Sequence, residues 1–300
     1  MSILVVGSVA LDSVKTPFGE SKEVLGGSAV YFSCAASIFA PVRILGVVGT
    51  DFPRKYVALL KRRGIDTAGL QVREGKTFRW CGRYGAALKE ARTVSVSLNV
   101  MDGFSPRIPF RYQDSKYIFL ANIDPDTQMK TLEQVKTPVL VVCDTMNLWI
   151  ETKRADLLNL LKRVDILLLN DEEARMLTGA KNLVDACNKI LRLGPKAVVV
   201  KKGEHGAILA TENRGFFLTP AYPTSKVVDP TGAGDSFGGG FLGHLASTEN
   251  VSESNIRRAM VYGAVVASFT VEDFSLRRLM KVGGPAVRER FARIRQMVQF

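Results

Sequence analysis

Short runs of β-branched and aliphatic residues recur along the chain without polar alternation: Ile3–Gly7, Val42–Val48, Tyr117–Leu120, Val139–Cys143, Ile166–Leu169 and Ala197–Lys201. A strand apolar on both faces belongs inside a sheet covered on both sides, usually a parallel one. Between these runs, apolar residues repeat at helical spacing over Ser28–Phe39, Pro53–Arg63, Asp126–Val135, Lys153–Lys162 and Leu183–Leu193. The alternation predicts an α/β fold, a doubly wound and mainly parallel sheet. The last third changes character, with a Phe216–Leu218 strand, a glycine-rich turn and two long helical stretches, Ala233–Ala246 and Glu253–Phe269.

Two segments break the rhythm. Ser13–Leu25 and Gln71–Ser97 alternate in strand fashion, most clearly at Thr77-Phe-Arg-Trp-Cys-Gly-Arg-Tyr84 and Arg92-Thr-Val-Ser-Val-Ser97. Segments that leave an α/β core at its strand ends can form a lid over the cleft there. The expectation is one domain over residues 1–300, with a small β-sheet lid built from insertions at approximately 13–25 and 71–110.

Composition narrows the class. At 300 residues, 46% hydrophobic and 23% charged, the chain has the makings of a large core, which excludes disorder. The longest uncharged apolar stretch, Val261 to Val271, is well short of the ~20 residues a membrane-spanning helix needs. The amino terminus lacks a basic leader and runs into Asp12, so it reads as a strand, and a cytoplasmic protein without a membrane partner is expected. Cys34, Cys81, Cys143 and Cys187 are far apart in apolar contexts and read as reduced core thiols. Net charge is +12, but residues 276–300 alone carry seven Lys/Arg against one Glu. There Val287, Phe291, Ile294 and Val298 recur at helical spacing, leaving Arg288, Arg290, Arg293 and Arg295 on the flanks of a terminal amphipathic helix. A solvated helix face explains that basic cluster, and no nucleic-acid partner is expected.

The chemistry concentrates in Val227-Val-Asp-Pro-Thr-Gly-Ala-Gly-Asp-Ser-Phe237. Gly232 and Gly234 permit a tight turn, and the amides of Gly232, Ala233 and Gly234 then converge at a helix amino terminus, where the macrodipole favours an anion. Asp235 at its mouth is placed to accept a hydroxyl proton during phosphoryl transfer. As a plain structural feature the same Asp caps a helix after a glycine turn.

Asp229-Pro-Thr-Gly-Ala-Gly-Asp-Ser-Phe237 closely resembles the carboxy-terminal signature of the ribokinase-like, or phosphofructokinase-B family, carbohydrate kinases. The resemblance extends along most of the chain, through Gly7-Ser-Val-Ala-Leu-Asp12, Leu25-Gly-Gly-Ser28, Gly46-Val-Val-Gly-Thr-Asp51, Arg63-Gly-Ile-Asp66, Asn170-Asp-Glu-Glu173 and Lys202-Gly-Glu-His-Gly206, in the usual order. It implies an ATP- and Mg2+-dependent kinase, with a monovalent cation such as K+ as a further cofactor and a homodimer through the lid. Asp235 is similar to the family's base, with Gly232, Ala233 and Gly234 as its anion hole. Asp12, Gly26, Gly27 and Tyr31 fall at substrate-binding positions, and Lys202, Gly203, Gly206 and Thr231 border the nucleotide. Asn170 and Glu173 match the pair that organises hydrated Mg2+, although read alone they are a helix cap and its capping box. Asp12 alone could equally be a turn residue, and Gly26 and Gly27 a helix entry. Lys201 and Lys202 end a buried strand, where either nucleotide phosphates or a loop carboxylate would account for the charge.

One departure bears on the acceptor. In many such sugar kinases the Gly-Gly signature leads to an Asn that reads sugar hydroxyls, whereas here Gly26-Gly-Ser-Ala-Val-Tyr31-Phe32 sets aromatics at and beside it. A fully hydroxylated sugar face loses partners against a phenol, so weak turnover of free ribose or fructose is expected. Asp144 and Asn147 in the central Asp144-Thr-Met-Asn-Leu-Trp149 are weaker substrate or phosphate candidates. The resulting reading is a kinase transferring the γ-phosphoryl group to an alcohol of a sugar or sugar-like substrate. A nucleoside kinase is the alternative within the fold, with Tyr31, Phe32 or Trp80 stacking on a base. A non-catalytic nucleotide-binding regulatory protein is the alternative of another class, and the intact Asp235 argues against it.

Overall fold

The computed structural model describes residues 1–89, 91–213 and 215–299. Strands β1 (Ile3–Val6), β2 (Ala10–Thr16) and β3 (Gly19–Gly26) lead into helix α1 (Ser28–Ala36). Then follow β4 (Val42–Gly49), α2 (Arg54–Arg62), β5 (Ile65–Arg73), β6 (Phe78–Tyr84), β7 (Ala91–Ser97), β8 (Tyr117–Leu120) and α3 (Pro125–Leu132). The second half runs β9 (Leu140–Asp144), α4 (Asn147–Thr152), α5 (Arg154–Leu161), β10 (Ile166–Asn170), α6 (Asp171–Thr178), α7 (Leu183–Leu191) and β11 (Ala197–Lys201). A hairpin of β12 (Ala207–Thr211) and β13 (Phe216–Thr219) precedes α8 (Ala233–Thr248), α9 (Glu253–Thr270) and α10 (Gly284–Met297).

Among the described residues the main sheet has nine strands in the order β13-β12-β11-β10-β9-β8-β1-β4-β5, parallel from β5 to β11 and closed by the antiparallel β12–β13 hairpin. Ile3 and Val5 face the side covered by α1, α8 and α9, and Leu4 and Val6 face the side where Leu157, Leu160 and Leu161 of α5 pack. That two-sided burial is why these strands read as continuous apolar runs. The strand order reverses beside β1, and ligands of open α/β sheets bind at the carboxyl ends beside such a switch point.

The smaller sheet is ordered β3-β2-β6-β7. Its β2 carries Asp12, which the sequence reading set at the end of β1; a short unpaired break at Gly7 to Val9 redirects the chain there. β5 and β12 are main-sheet strands that the apolar runs do not reveal. β5 alternates buried and partly exposed residues at the sheet edge, a pattern that reads like lid sequence. On α10, Arg290 does not lie in solvent: its side chain is 14% exposed, paired with Glu272, which also holds Arg278 at 2.9 Å.

Candidate functional site

Asp12 and the paired glycines are one construction. The Asp12 carboxyl is 4% exposed, and a Cβ on Gly26 would stand 1.8 Å from its Oδ2. Gly27, at φ +96°, donates its N–H to the same oxygen at 3.2 Å, and a Cβ there would lie 2.4 Å from the Ser8 carbonyl. Glycine is therefore required at Gly26 by the room the carboxylate occupies, and at Gly27 by its positive φ and the close Ser8 backbone. Burial, followed by the fields of Asp235 and Asp229, outweighs the Gly27 bond and pushes Asp12 up to about 7. Behind it, Ser8 and Ser28 exchange hydrogen bonds, and Ser28 Oγ donates to the Asn122 carbonyl at 2.9 Å, joining the ends of β1 and β8.

The glycine turn expected to hold an anion, hereafter the anion turn, forms at the start of α8. Gly232 is its N-cap with φ +75°, and a Cβ there would meet the Tyr31 ring at 2.3 Å. Of the three amides expected to converge, Ala233 N–H is taken by the Pro230 carbonyl at 3.1 Å. Among the described residues, the N–H groups of Gly232 and Gly234 have no such acceptor and remain available. Asp235 sits one residue further in the first turn. Burial and the nearby Asp144 push its carboxyl up to about 7, against the pull of Lys201 and of its own N–H. Two carboxylates poised near neutrality and close enough to feel each other's charge, one of them in the turn that carries the free amides, make an arrangement able to hold a hydroxyl and take its proton.

Lys201 is the site residue that the sequence reading did not choose. It leaves β11 inward, its Nζ 2.8 Å from Asp144 Oδ2 and 3.2 Å from where a Cβ on Gly234 would be. The ammonium therefore lies beside the anion turn. Although burial opposes its charge, Asp144, Glu173 and Asp235 together hold its pKa above the usual lysine value. The signal was a charge ending a buried strand; it was given to Lys202, which instead closes the β11–β12 turn, its N–H donating to Gly206 O at 2.8 Å. Gly206 is buried, at φ +80°, where a Cβ would strike the Thr219 carbonyl, so it shapes that turn without facing the cleft. Gly203 is exposed at the same turn.

Asn170 and Glu173 form a reciprocal capping box on α6, each backbone N–H bonded to the other's side chain at 2.7 Å. Among the described residues no group of three or more His, Cys, Asp or Glu is disposed to hold a metal ion. Such a donor set fits only a cation that keeps most of its waters and takes other ligands from phosphates, as Mg2+ does.

Tyr31 differs from expectation. It is 2% exposed, its ring under Gly232 and its hydroxyl within reach of Ser275, so it braces the anion turn and does not line an open acceptor cleft. Phe32 is wholly buried, stacked 4.0 Å from Phe119. Neither ring offers a face to a base. Trp80 of β6 is half-buried and paired in register with Asp12 of β2, its indole lying over Gly82 and its Nε1 donating to Thr93 Oγ1 at 3.2 Å. Thr231 donates its N–H to Asp229 Oδ1 at 3.0 Å and its hydroxyl to Tyr84 of the lid at 3.2 Å. Cys81 is partly exposed in the lid, while the other three cysteines are buried.

Residues 4–281 match the family model described as pfkB family carbohydrate kinase. A cytidine kinase of Thermococcus kodakarensis is 33% identical over 247 residues, which is 81% of this chain and 87% of that one. A nucleoside kinase structure from Methanocaldococcus jannaschii, described as an archaeal member of the ribokinase family, superposes with a TM-score of 0.76 at 21% identity, covering 97% of this chain and 98% of that one. A ribokinase II structure from E. coli, in complex with ATP and Mg2+, gives 0.79 at 20% identity over 97% and 99%. The chain belongs to the pfkB family of carbohydrate kinases, and it is a phosphotransferase that acts on a hydroxyl acceptor.

Proposed function

We propose that this pfkB-family kinase phosphorylates an alcohol of a nucleoside, with ATP as donor and Mg2+ as the accompanying ion. The observation that carries the nucleoside reading is Trp80: a half-buried indole on the lid, in register with the Asp12 carboxylate, gives a planar base a surface that a free sugar does not need. The similarity to a cytidine kinase over most of both chains supports it.

In the proposed reaction Asp12 accepts hydrogen bonds from the acceptor's hydroxyls and fixes its orientation. Asp235 takes the proton of the attacking hydroxyl. The Gly232 and Gly234 amides, with Lys201 beside them, stabilise charge on the transferring oxygens, and Ala233 contributes by fixing the turn through Pro230. ATP supplies the phosphoryl group, and Mg2+ the counter-charge on its phosphates. Asn170 and Glu173 would meet that ion through its waters while still capping α6. Lys202, Gly203 and Thr231 would border the nucleotide, with Gly206 setting the turn that presents them.

The test is phosphorylated-product mass from a panel of cytidine, uridine, adenosine, inosine, ribose and fructose. Cytidine or another nucleoside should exceed both sugars in kcat/KM, and Trp80→Ala should lower nucleoside turnover about tenfold while barely changing ribose. Ribose or fructose turned over as efficiently as every nucleoside would refute the reading. Repeating the assay in K+ and tetramethylammonium buffers tests the monovalent-cation requirement. A lid-mediated homodimer draws support from β7, where Val94 is 62% and Val96 50% exposed, and sedimentation of Val94→Lys would test it.

A further inference from the structure

The lid reaches the anion turn through a side chain that neither the motif nor the family resemblance singled out. Tyr84 ends β6, and its hydroxyl receives the Thr231 hydroxyl proton at 3.2 Å, across 147 residues of chain. Burial, with the fields of Asp229 and Asp12, pushes the phenol up to about 12, so it stays neutral and protonated wherever the enzyme works. Among the described residues Thr231 is its one hydrogen-bond partner. Its neighbour β7 is exposed along almost all its length, so Tyr84 marks the place where the lid meets the core.

The other end of β6 is held differently. Arg79 donates to Asp51 Oδ2 at 2.8 Å, to the Thr77 carbonyl at 3.0 Å and to Glu23 Oε1 at 2.6 Å, while Asp51 also accepts the Thr77 N–H and hydroxyl, each at 2.7 Å. The lid root is thus fixed by several charge-assisted bonds, and its tip by a single neutral one. Charge-assisted bonds are roughly twice as strong as neutral ones, so when the lid opens the tip releases first.

We propose that Tyr84 is a positioning residue, a latch that couples closure of the lid, which itself carries Asp12, onto the anion turn to the placement of Thr231, and through it of Gly232. The proposal rests on the kinase reading above. Thr231 directly precedes Gly232, and its hydroxyl is the point at which the turn meets the lid. A neutral hydrogen bond biases such an equilibrium only about two- to tenfold, which suits a latch that must release product.

The experiment uses a Trp149→Phe background, which leaves Trp80 as the sole tryptophan of the two, on the same strand as Tyr84. Acrylamide quenching of Trp80 in the ligand-free protein reads lid opening independently of any acceptor. Tyr84→Phe and Thr231→Val should each raise the quenching constant about twofold, the double variant no further, and Thr231→Ser should keep the original value. With an acceptor, Tyr84→Phe should raise KM about three- to tenfold, with a smaller change in kcat, and increase ATP hydrolysis in its absence. Unchanged quenching in Tyr84→Phe, or additive effects in the double variant, would overturn the latch. If the wild type proves inactive on nucleosides, the substrate reading fails, while the quenching comparison still decides this one.

Discussion

Replacing Asp12 by Asn should make the ligand-free enzyme more stable and less active, by an amount that depends on pH. The carboxyl is 4% exposed and is pushed from 3.8 to about 7. A group whose folded pKa is raised contributes stability that is complete below its unfolded value and is lost as pH rises through the folded one. For Asp12 that window runs from about pH 4 to pH 7. A shift of three units corresponds to a ceiling of about 4 kcal/mol, and sharing with Asp229 and Asp235, together with relaxation, brings the expected value to about 2 kcal/mol. Unfolding entropy of ~2.1 cal/mol/K per residue converts this to a Tm gain of about 3 °C. Asparagine keeps an oxygen for the Gly27 N–H, so the Gly26–Gly27 turn stays intact. Calorimetry of both proteins at pH 5.5 and 8.5 checks the reasoning. The gain for Asp12→Asn should be clearly larger at pH 8.5, with acceptor kcat/KM reduced at least a hundredfold. An equal Tm difference at both pH values would refute the claim that a strained carboxylate is what the substitution removes.

Asp235→Asn should fold normally and lower kcat by about a thousandfold or more, while wild-type kcat/KM should rise with pH to a plateau above about 7 as the base ionises; a flat profile from pH 5 to 9 would count against the assignment. Lys201→Met leaves Asp144 buried and unpaired, a loss of about 3–5 kcal/mol in denaturant unfolding. Adding Asp144→Leu should recover stability but not turnover, and a single variant as stable as wild type would contradict the buried pair. Glu173→Gln preserves the capping box and should leave Tm unchanged while shifting the Mg2+ dependence of turnover; an unchanged metal titration would assign the residue to the cap alone.

The core strands were legible because each lies within the parallel sheet and carries its burial on its own residues. Tyr117–Leu120 and Ala197–Lys201 have the very limits that their apolar runs suggested. The edge strand β5 has a sheet partner on one side only, and its local pattern says little about where it belongs. The Asp229–Asp235 motif and the two glycines before Ser28 were also legible, since glycine there answers to a close approach that no other residue permits. Which lysine enters the site was not: Lys201 and Lys202 are adjacent, and only the strand's inward direction and the presence of Asp144 decide between them. Tyr31 misled for a related reason. Its position in sequence matched a substrate contact, but the left-handed Gly232 leaves room for a ring beneath the turn, and Tyr31 fills it.

The charges in the cleft bear on how the proposed acceptor would bind. Asp12, Asp144, Asp229 and Asp235 are all held within it, and Lys201 is the cation paired among them. With burial raising Asp12, Asp229 and Asp235, full ionisation of the empty cleft is opposed by the protein itself. In the proposed reaction an acceptor that donates hydroxyl hydrogens to Asp12 would stabilise its charged form, and the positive charge of Lys201 lowers the cost of ionising Asp235. On the proposed assignment, the acceptor's hydroxyls would offset at Asp12 the desolvation that burial imposes, so that binding an acceptor and ionising that carboxyl favour one another.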